Sequence, residues 1–380
     1  MEYIHRGIEN KIIESAKKMP VIGIIGPRQS GKTTLARNLF PDFLYVNLEF
    51  PDDRSFAEND PRGFLNLSKN MIIDEAQRVP ELFSYIQGVV DDDKNRKYIL
   101  TGSNNFLLME KISQSLAGRI GLFTVLPFAI SELKELNKKD LDKALFAGFY
   151  PRVVLENNDP TEWYQGYMQT YLERDIRQIT SIHMMDQFFQ FIKILATKAG
   201  AELNYSKLAT DSGVSVNTIR HWTSVLRASY IIYTLPPYFL NIKKRLVKAP
   251  KIYFYDVGLL CSLLGIRNYE AINTHALAGQ LFENFIMGEM VKNEFISHSN
   301  HSLFYYRDHD GLEVDIVKEL DNRLDLFEIK KSKVYKKEFS ENLGKLEKLF
   351  LKVYSKNVIY GGERSFTDGD VNILPWKNVK

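Results

Sequence analysis

The sequence predicts an α/β fold for its first third, a parallel sheet with helices on both faces, followed by helical and then α+β segments. Three patterns predict it. Short apolar runs alternate with helical stretches from Val21 to Leu126, which is the signature of strands linked by crossover helices. From Pro127 strand-like runs stop and helical periodicity takes over. Beyond about Gly279 a long helix and a set of strand candidates return.

At 380 residues and 44% hydrophobic the chain is globular in composition and long enough for roughly two or three cores. Its net charge is only +3, so attraction to nucleic acid would require a local patch. The single cysteine, Cys261, has no disulfide partner within the chain and lies in an apolar run, which suits a buried thiol in a reducing compartment. It receives no catalytic role. The stretch Met1 to Lys18 carries charges where a signal peptide needs an apolar core, and no run reaches membrane-span length. The expectation is a cytoplasmic protein without membrane contact.

The first apolar run, Val21 to Ile25, reads as a buried strand. Directly after it, Gly26-Pro27-Arg28-Gln29-Ser30-Gly31-Lys32-Thr33 fits the G-x-x-x-x-G-K-[ST] phosphate-binding pattern at every fixed position. Gly26 and Gly31 let the backbone curl so that N–H groups point at phosphate oxygens, and the helix from about Lys32 adds its positive end. Lys32 reaches the β and γ phosphates and the Thr33 hydroxyl serves Mg²⁺. Thr34, Leu35, Ala36 and Leu39 carry the helix back onto the sheet.

Phe43 to Leu48 is the second strand candidate, and Asp52 to Asn66 a polar, partly helical connection. Met71-Ile72-Ile73-Asp74-Glu75 is an apolar run ending in two acids, which places carboxylates at the carboxyl edge of a parallel strand. Asp74 is placed to hold the Mg²⁺ shell, and Glu75 to orient or deprotonate an attacking water. Tyr98 to Thr101 reads as a fourth strand ending in Gly102-Ser103-Asn104, where Ser103 or Asn104 could touch the γ-phosphate. Ile120 to Leu126 is the fifth. Arg119, just before it, either stabilises charge on the transferred phosphoryl group or forms a surface ion pair.

Helical periodicity covers Ala129 to Glu135, Leu141 to Phe146 and Thr161 to Ile182, and the charged run Tyr171 to Arg177 reads as a solvated helix face. Tyr205 begins a helix, Gly213 provides a tight turn, and Ser215 caps a second helix with Ile219, Trp222 and Leu226 on one face. Asn217, Arg220, His221 and Ser224 remain for base edges or phosphates. Tyr230 to Leu235 and Ile252 to Tyr255 complete a winged helix whose wing carries Lys243, Lys244 and Arg245. Such a module either contacts DNA or packs domains together.

In the last third, Gly279 to Phe295 reads as a helix bearing Glu283. Leu303 to Arg307, Leu312 to Val317 and Leu324 to Lys330 read as strands. A two-residue turn at Asp321-Asn322 would set Asp315 opposite Glu328. Facing carboxylates are destabilising unless a cation or proton lies between them, so the pattern suggests a metal site, with Lys330 on the Glu328 face and Glu283 approaching from the helix. A one-residue slip would make these ordinary exposed charges.

These motifs resemble the prokaryotic AAA-type ATPases of the branch near the origin-recognition and signal-transduction ATPases, whose C-terminal domain of unknown function is nuclease-like. The resemblance rests on GPRQSGKTTL, DEAQ at Asp74, TGS at Thr101, LAGR ending at Arg119, Tyr171 to Ile176, YDVGLL at Tyr255, GQLFE at Gly279, and EVD followed by EIK. It implies an ATPase core over residues 1–127, a helical lid or linker over 128–200, a winged helix over 201–258 and a PD-(D/E)xK nuclease-like domain over 259–380. It implies that Lys32, Thr33, Asp74 and Glu75 bind and hydrolyse Mg-ATP, that Ser103 is a sensor, and that Arg119 senses or completes a site, in trans if the chain forms an oligomer. Glu283, Asp315, Glu328 and Lys330 fill the nuclease-like signature. The Gln-x-x-x-Tyr found downstream in many active nucleases is missing, because Ser340 to Lys356 contains no glutamine. The expected function is a nucleotide switch acting on DNA. The alternatives are an ATP-gated, metal-dependent DNA endonuclease and a non-cleaving regulatory module.

Overall fold

The computed structural model describes residues 3–103, 114–133, 140–156, 158–172, 184–239, 248–299, 303–321, 323–350 and 352–379. The chain divides into two compact units. One comprises Met1–Phe128 with Ala228–Tyr230 and Phe295–Ser299, the other Ala129–Arg227, Ile231–Glu294 and Asn300–Lys380.

The first unit is built on five parallel strands, β1 (Val21–Ile25), β2 (Leu44–Asn47), β3 (Asn70–Asp74), β4 (Lys97–Gly102) and β5 (Ile120–Thr124). Their order is β2-β3-β4-β1-β5. Every residue of β1 is buried, as expected of a central strand covered on both faces. Because β1 lies between β4 and β5, the loop that leaves its carboxyl end opens at the reversal of strand order, where such sheets bind ligands. The helix Lys32–Leu39 turns Leu35 and Ala36 into the core, against Ile22, Ile24, Ile72 and Ile99.

In the second unit the helices Tyr205–Ser212 and Val216–Ala228 are joined through Gly213, whose φ of 67° suits glycine. The Ser215 hydroxyl accepts from the Thr218 N–H at 3.1 Å, an N-cap, and Ile219, Trp222 and Leu226 are buried. Strands β6 (Ile232–Leu235) and β7 (Lys251–Phe254) form an antiparallel pair after them. The chain leaving β6 then joins another sheet: the Tyr305 N–H donates to the Pro236 carbonyl oxygen at 3.1 Å, and the Tyr238 N–H to the Tyr305 carbonyl oxygen at 2.6 Å.

That other sheet follows the long helix Ala278–Ser297. It comprises β8 (Leu303–Arg307), β9 (Glu313–Leu320), β10 (Arg323–Lys330), β11 (Val353–Tyr360), β12 (Phe366–Asp368) and β13 (Val371–Pro375), in the order β12-β13-β11-β10-β9-β8. β8 to β10 are antiparallel, and β11 returns parallel to β10 after the helix Glu341–Glu347, whose Leu343 and Leu346 pack on Val314, Leu326 and Val358. Among the described residues no helix is long and apolar enough to cross a membrane.

Candidate functional site

The loop after β1 has the shape its glycines require. Gly26 has φ 145° and Gly31 φ 94°. A Cβ on Gly26 would stand 2.2 Å from the Val125 carbonyl oxygen, so the end of β5 closes on the loop more tightly than any side chain allows. Arg6 braces the same place, donating from Nη1 to the Ser30 carbonyl oxygen at 3.0 Å and from Nη2 to that of Leu126 at 2.7 Å. Sequence reasoning missed Arg6, which is remote from the motif. Pro27 and Ser30 are buried, Arg28, Gln29, Gly31 and Thr33 half-buried, and Thr34 exposed.

Lys32 is buried, and its Nζ donates to the Pro27 carbonyl oxygen at 2.7 Å. Asp74, at the carboxyl end of β3, accepts from Thr33 Oγ1 at 2.9 Å, from Tyr45 OH at 2.9 Å and from Thr101 Oγ1. Burial, then the Asp74 charge, raises the Tyr45 hydroxyl well above the ordinary tyrosine range, so it remains a proton donor. Tyr45 and Thr101 come from β2 and β4, the strands on either side of β3; Thr101 opens the TGS motif, while nothing in the local sequence marks Tyr45. Glu75 follows with φ 54°, a left-handed conformation that a non-glycine residue holds only under constraint. Its Oε2 accepts from Gln77 Nε2 at 2.5 Å and from Ser103 Oγ at 3.3 Å. Thus Lys32, Thr33, Asp74, Glu75 and Ser103 converge at one sheet edge.

A nucleotide phosphate suits this cradle. Ser30 Oγ is wholly buried in the loop and has no hydrogen-bond partner among the described residues, and the acid and hydroxyl at Asp74 and Thr33 are hard oxygen donors of the type Mg²⁺ takes.

Of the two readings of Arg119, the structure shows the surface ion pair. Arg119 precedes β5 and therefore lies at the amino edge of the sheet, a strand length of about 16 Å from the loop. There it forms a two-point ion pair with Asp91, Nε to Oδ1 at 2.8 Å and Nη2 to Oδ2 at 2.7 Å. It does not reach the phosphate loop of its own chain, because parallel strands put the start of β5 opposite the start of β1. Asn104, the charged run Tyr171 to Arg177, and Lys243, Lys244 and Arg245 fall wholly or almost wholly outside the described residues. Asn217 and Arg220 are exposed on the second helix of the pair, and the Arg220 guanidinium lies over the Tyr205 ring at 4.5 Å.

The second constellation lies in the C-terminal sheet. Leu326 pairs with Val317 and Phe327 with Ile316, so the next step of the register brings Glu328 to Asp315. Asp315 Oδ2 accepts from the Ile329 N–H at 2.8 Å. Lys330 Nζ lies 2.7 Å from Glu328 Oε2 and 3.8 Å from Asp315 Oδ2. Burial, then the Asp315 charge, pushes the Glu328 carboxyl up to about 8 and that of Glu283 up to about 7. Glu328 is 2% exposed, and its Oε1 has no hydrogen-bond partner among the described residues. Glu283 accepts from Tyr253 OH at 2.7 Å and stands 3.6 Å from Lys251 Nζ, which in turn lies 2.6 Å from Glu313. Lys251 and Tyr253, which alternate onto one face of β7, carry no local signal of this role. Among the described residues no three His, Cys, Asp or Glu side chains are arranged to hold a metal ion. The donors suit a hard cation in kind, while ammonium groups stand among them.

Residues 18–134 match the AAA domain family, and residues 138–270 and 278–379 each match a domain of unknown function, DUF8612 and DUF4143. The AAA match spans the parallel sheet and its phosphate loop, so residues 18–134 form an AAA domain. The chain is 30% identical over 321 residues to uncharacterised proteins of Mycobacterium bovis and Mycobacterium tuberculosis, across 83% of this chain and 71% of each relative, and it belongs to their family. A Walker-type ATPase of Pyrococcus abyssi is similar over 69% of this chain and 96% of its own, with a TM-score of 0.47 and 15% identity.

Proposed function

We propose that this AAA-type ATPase is a Mg²⁺-dependent, ATP-hydrolysing switch coupled to its helix-turn-helix and C-terminal sheet, and that it acts on DNA. The observation that carries the reading is the Asp74 carboxylate held by Thr33, Tyr45 and Thr101 beside the loop, with Glu75 aimed by Gln77 and Ser103. Lys32 and the loop N–H groups would bind the phosphates, Thr33 and Asp74 would hold Mg²⁺, and Glu75 would orient the attacking water. The metal, when bound, neutralises charge on the β and γ oxygens. Glu75→Gln should keep ATP bound while lowering turnover by about 10²- to 10⁴-fold; unchanged hydrolysis would overturn the assignment.

For DNA, exposed Asn217 and Arg220 supply candidate contacts, with Lys243, Lys244 and Arg245 as the basic wing. Charge reversal at those three residues should weaken DNA binding, and binding left intact would remove the wing from the reading.

A second reading is favoured by the Asp315 to Glu328 pairing beside Lys330: metal-dependent cleavage of DNA, gated by ATP. Wild type and Asp315→Ala compared on single- and double-stranded DNA, with Mg²⁺ or Mn²⁺ and with or without ATP, decide it. Cleavage lost in the variant supports the nuclease. Wild-type inactivity under every condition leaves a non-cleaving recognition module.

A further inference from the structure

The carboxylates of the C-terminal cluster are already neutralised in part by a lysine from outside their own sheet. Lys251 belongs to β7, the second strand of the hairpin, and its side chain is almost wholly buried. Its Nζ lies 2.6 Å from Glu313 and 3.6 Å from Glu283, and the ammonium sits 5.3 Å from the centre of the Tyr305 ring. Tyr253, two residues along the same strand face, donates to the same Glu283 oxygen. On the other side of the cluster, Lys330 pairs with Glu328 and Asp315. On that side the buried Glu328 Oε1 has no hydrogen-bond partner among the described residues. A buried carboxylate group of this kind requires counter-charge, and the strand supplies it covalently tethered.

We propose that Lys251 is a built-in cation that takes the Glu283 to Glu313 side of this cluster and holds its affinity for a divalent cation low. The inference rests on the reading of Glu283, Asp315 and Glu328 as cation ligands. Like charges compete for one set of carboxylates: a divalent ion approaching Glu283 meets the ammonium within a few ångströms, in surroundings where water screens little. Removing the ammonium frees Glu283 and leaves an acid pocket that a divalent ion can fill. The position of β7 is tied to its surroundings by the Gly200 N–H donating to the Ile252 carbonyl oxygen at 2.7 Å and the Leu203 N–H to that of Pro250 at 2.8 Å.

The test is a Mn²⁺ titration of the full chain without nucleotide, followed by thermal unfolding and by the electron paramagnetic resonance signal of free Mn²⁺. Wild type and Lys251→Met are compared. The variant should unfold earlier than wild type in the absence of metal, because Glu283 and Glu313 lose their partner. Mn²⁺ should restore much of that loss and bind at least about tenfold more tightly than to wild type, one charge removed at this range being worth about a pKa unit or more. Adding Glu283→Gln to the variant should abolish the gain. If Lys251→Met does not fold even with Mn²⁺, the double variant Lys251→Gln with Glu313→Gln, which keeps that pair neutral, is compared with wild type in the same way. Equal Mn²⁺ binding to wild type and variant overturns the role of Lys251 alone. Binding to neither overturns the cation site as well.

Discussion

The Tyr45 hydroxyl donates to Asp74 Oδ2 at 2.9 Å, joining β2 to the acid at the end of β3, while the Arg37 guanidinium lies 4.8 Å from the centre of the same ring. With Thr33 on the same oxygen and Thr101 on the other, the carboxylate is held in one rotamer before any metal arrives. Tyr45→Phe keeps the ring and its Arg37 contact but removes the donor. A hydrogen bond to a charged group is worth about 1.5–3 kcal/mol. The Mg²⁺ concentration that half-saturates ATP hydrolysis should therefore rise about tenfold, with nucleotide binding in EDTA nearly unchanged. A magnesium dependence identical to wild type would show that Thr33 and Thr101 suffice.

At Gly26 the restriction is steric and conformational together. Gly26→Ala would place a methyl group 2.2 Å from the Val125 carbonyl oxygen at a φ of 145°. Both the clash and the strain cost about 1–3 kcal/mol. The expected result is loss of ATP binding in a fluorescent-nucleotide titration, with a lowered melting temperature.

The pH dependence of the second unit should follow Glu283 and Glu328. Both carboxyls titrate above their unfolded value near 4.5, at about 7 and about 8. Between those limits the folded state binds more protons than the unfolded one, so stability is present at low pH and is lost as pH rises from about 5 to about 8. Urea unfolding of the metal-free chain should record a fall of a few kcal/mol across that window. Glu328→Gln should flatten it; a profile that stays steep would place the titrating group elsewhere.

Asp256 organises the segment that begins with the Tyr255-Asp256-Val257-Gly258 motif. It is 1% exposed and accepts from the Phe149 N–H at 2.8 Å, the Tyr164 hydroxyl at 2.6 Å and the Leu259 N–H at 3.0 Å. Asp256→Ala would leave the Phe149 and Leu259 N–H groups without an acceptor, while the Tyr164 hydroxyl keeps the Ala147 carbonyl oxygen at 3.2 Å, and should cost about 2–5 kcal/mol in chemical denaturation. Asp256→Asn, which retains one acceptor oxygen, should cost less. The motif is thus a folding element, and the resemblance in sequence did not reveal that.

Much of the fold could be read in the sequence because its signals are local. β1, β3 and β4 are short apolar runs buried nearly throughout, and Gly213 and Ser215 mark a turn and cap by residue type alone. The hairpin register, from Leu320 opposite Arg323 to Ile316 opposite Phe327, follows from strand period and turn length. Arg119 was ambiguous for the opposite reason. A residue beside a strand carries no mark of which sheet edge it occupies until the strands are known to be parallel and ordered β4-β1-β5.

By itself the sequence determined the phosphate loop, the paired acids after β3 and the order of segments, since each depends on spacing along a contiguous stretch. Only the tertiary structure decided that Tyr45 and Thr101 hold Asp74, that Arg6 braces the loop, that Arg119 pairs with Asp91, and that Lys251 enters the C-terminal acid cluster. The physical reason is common to all four. Each partner is remote in sequence, and its neighbour is chosen by strand order and side-chain reach, neither of which local composition encodes.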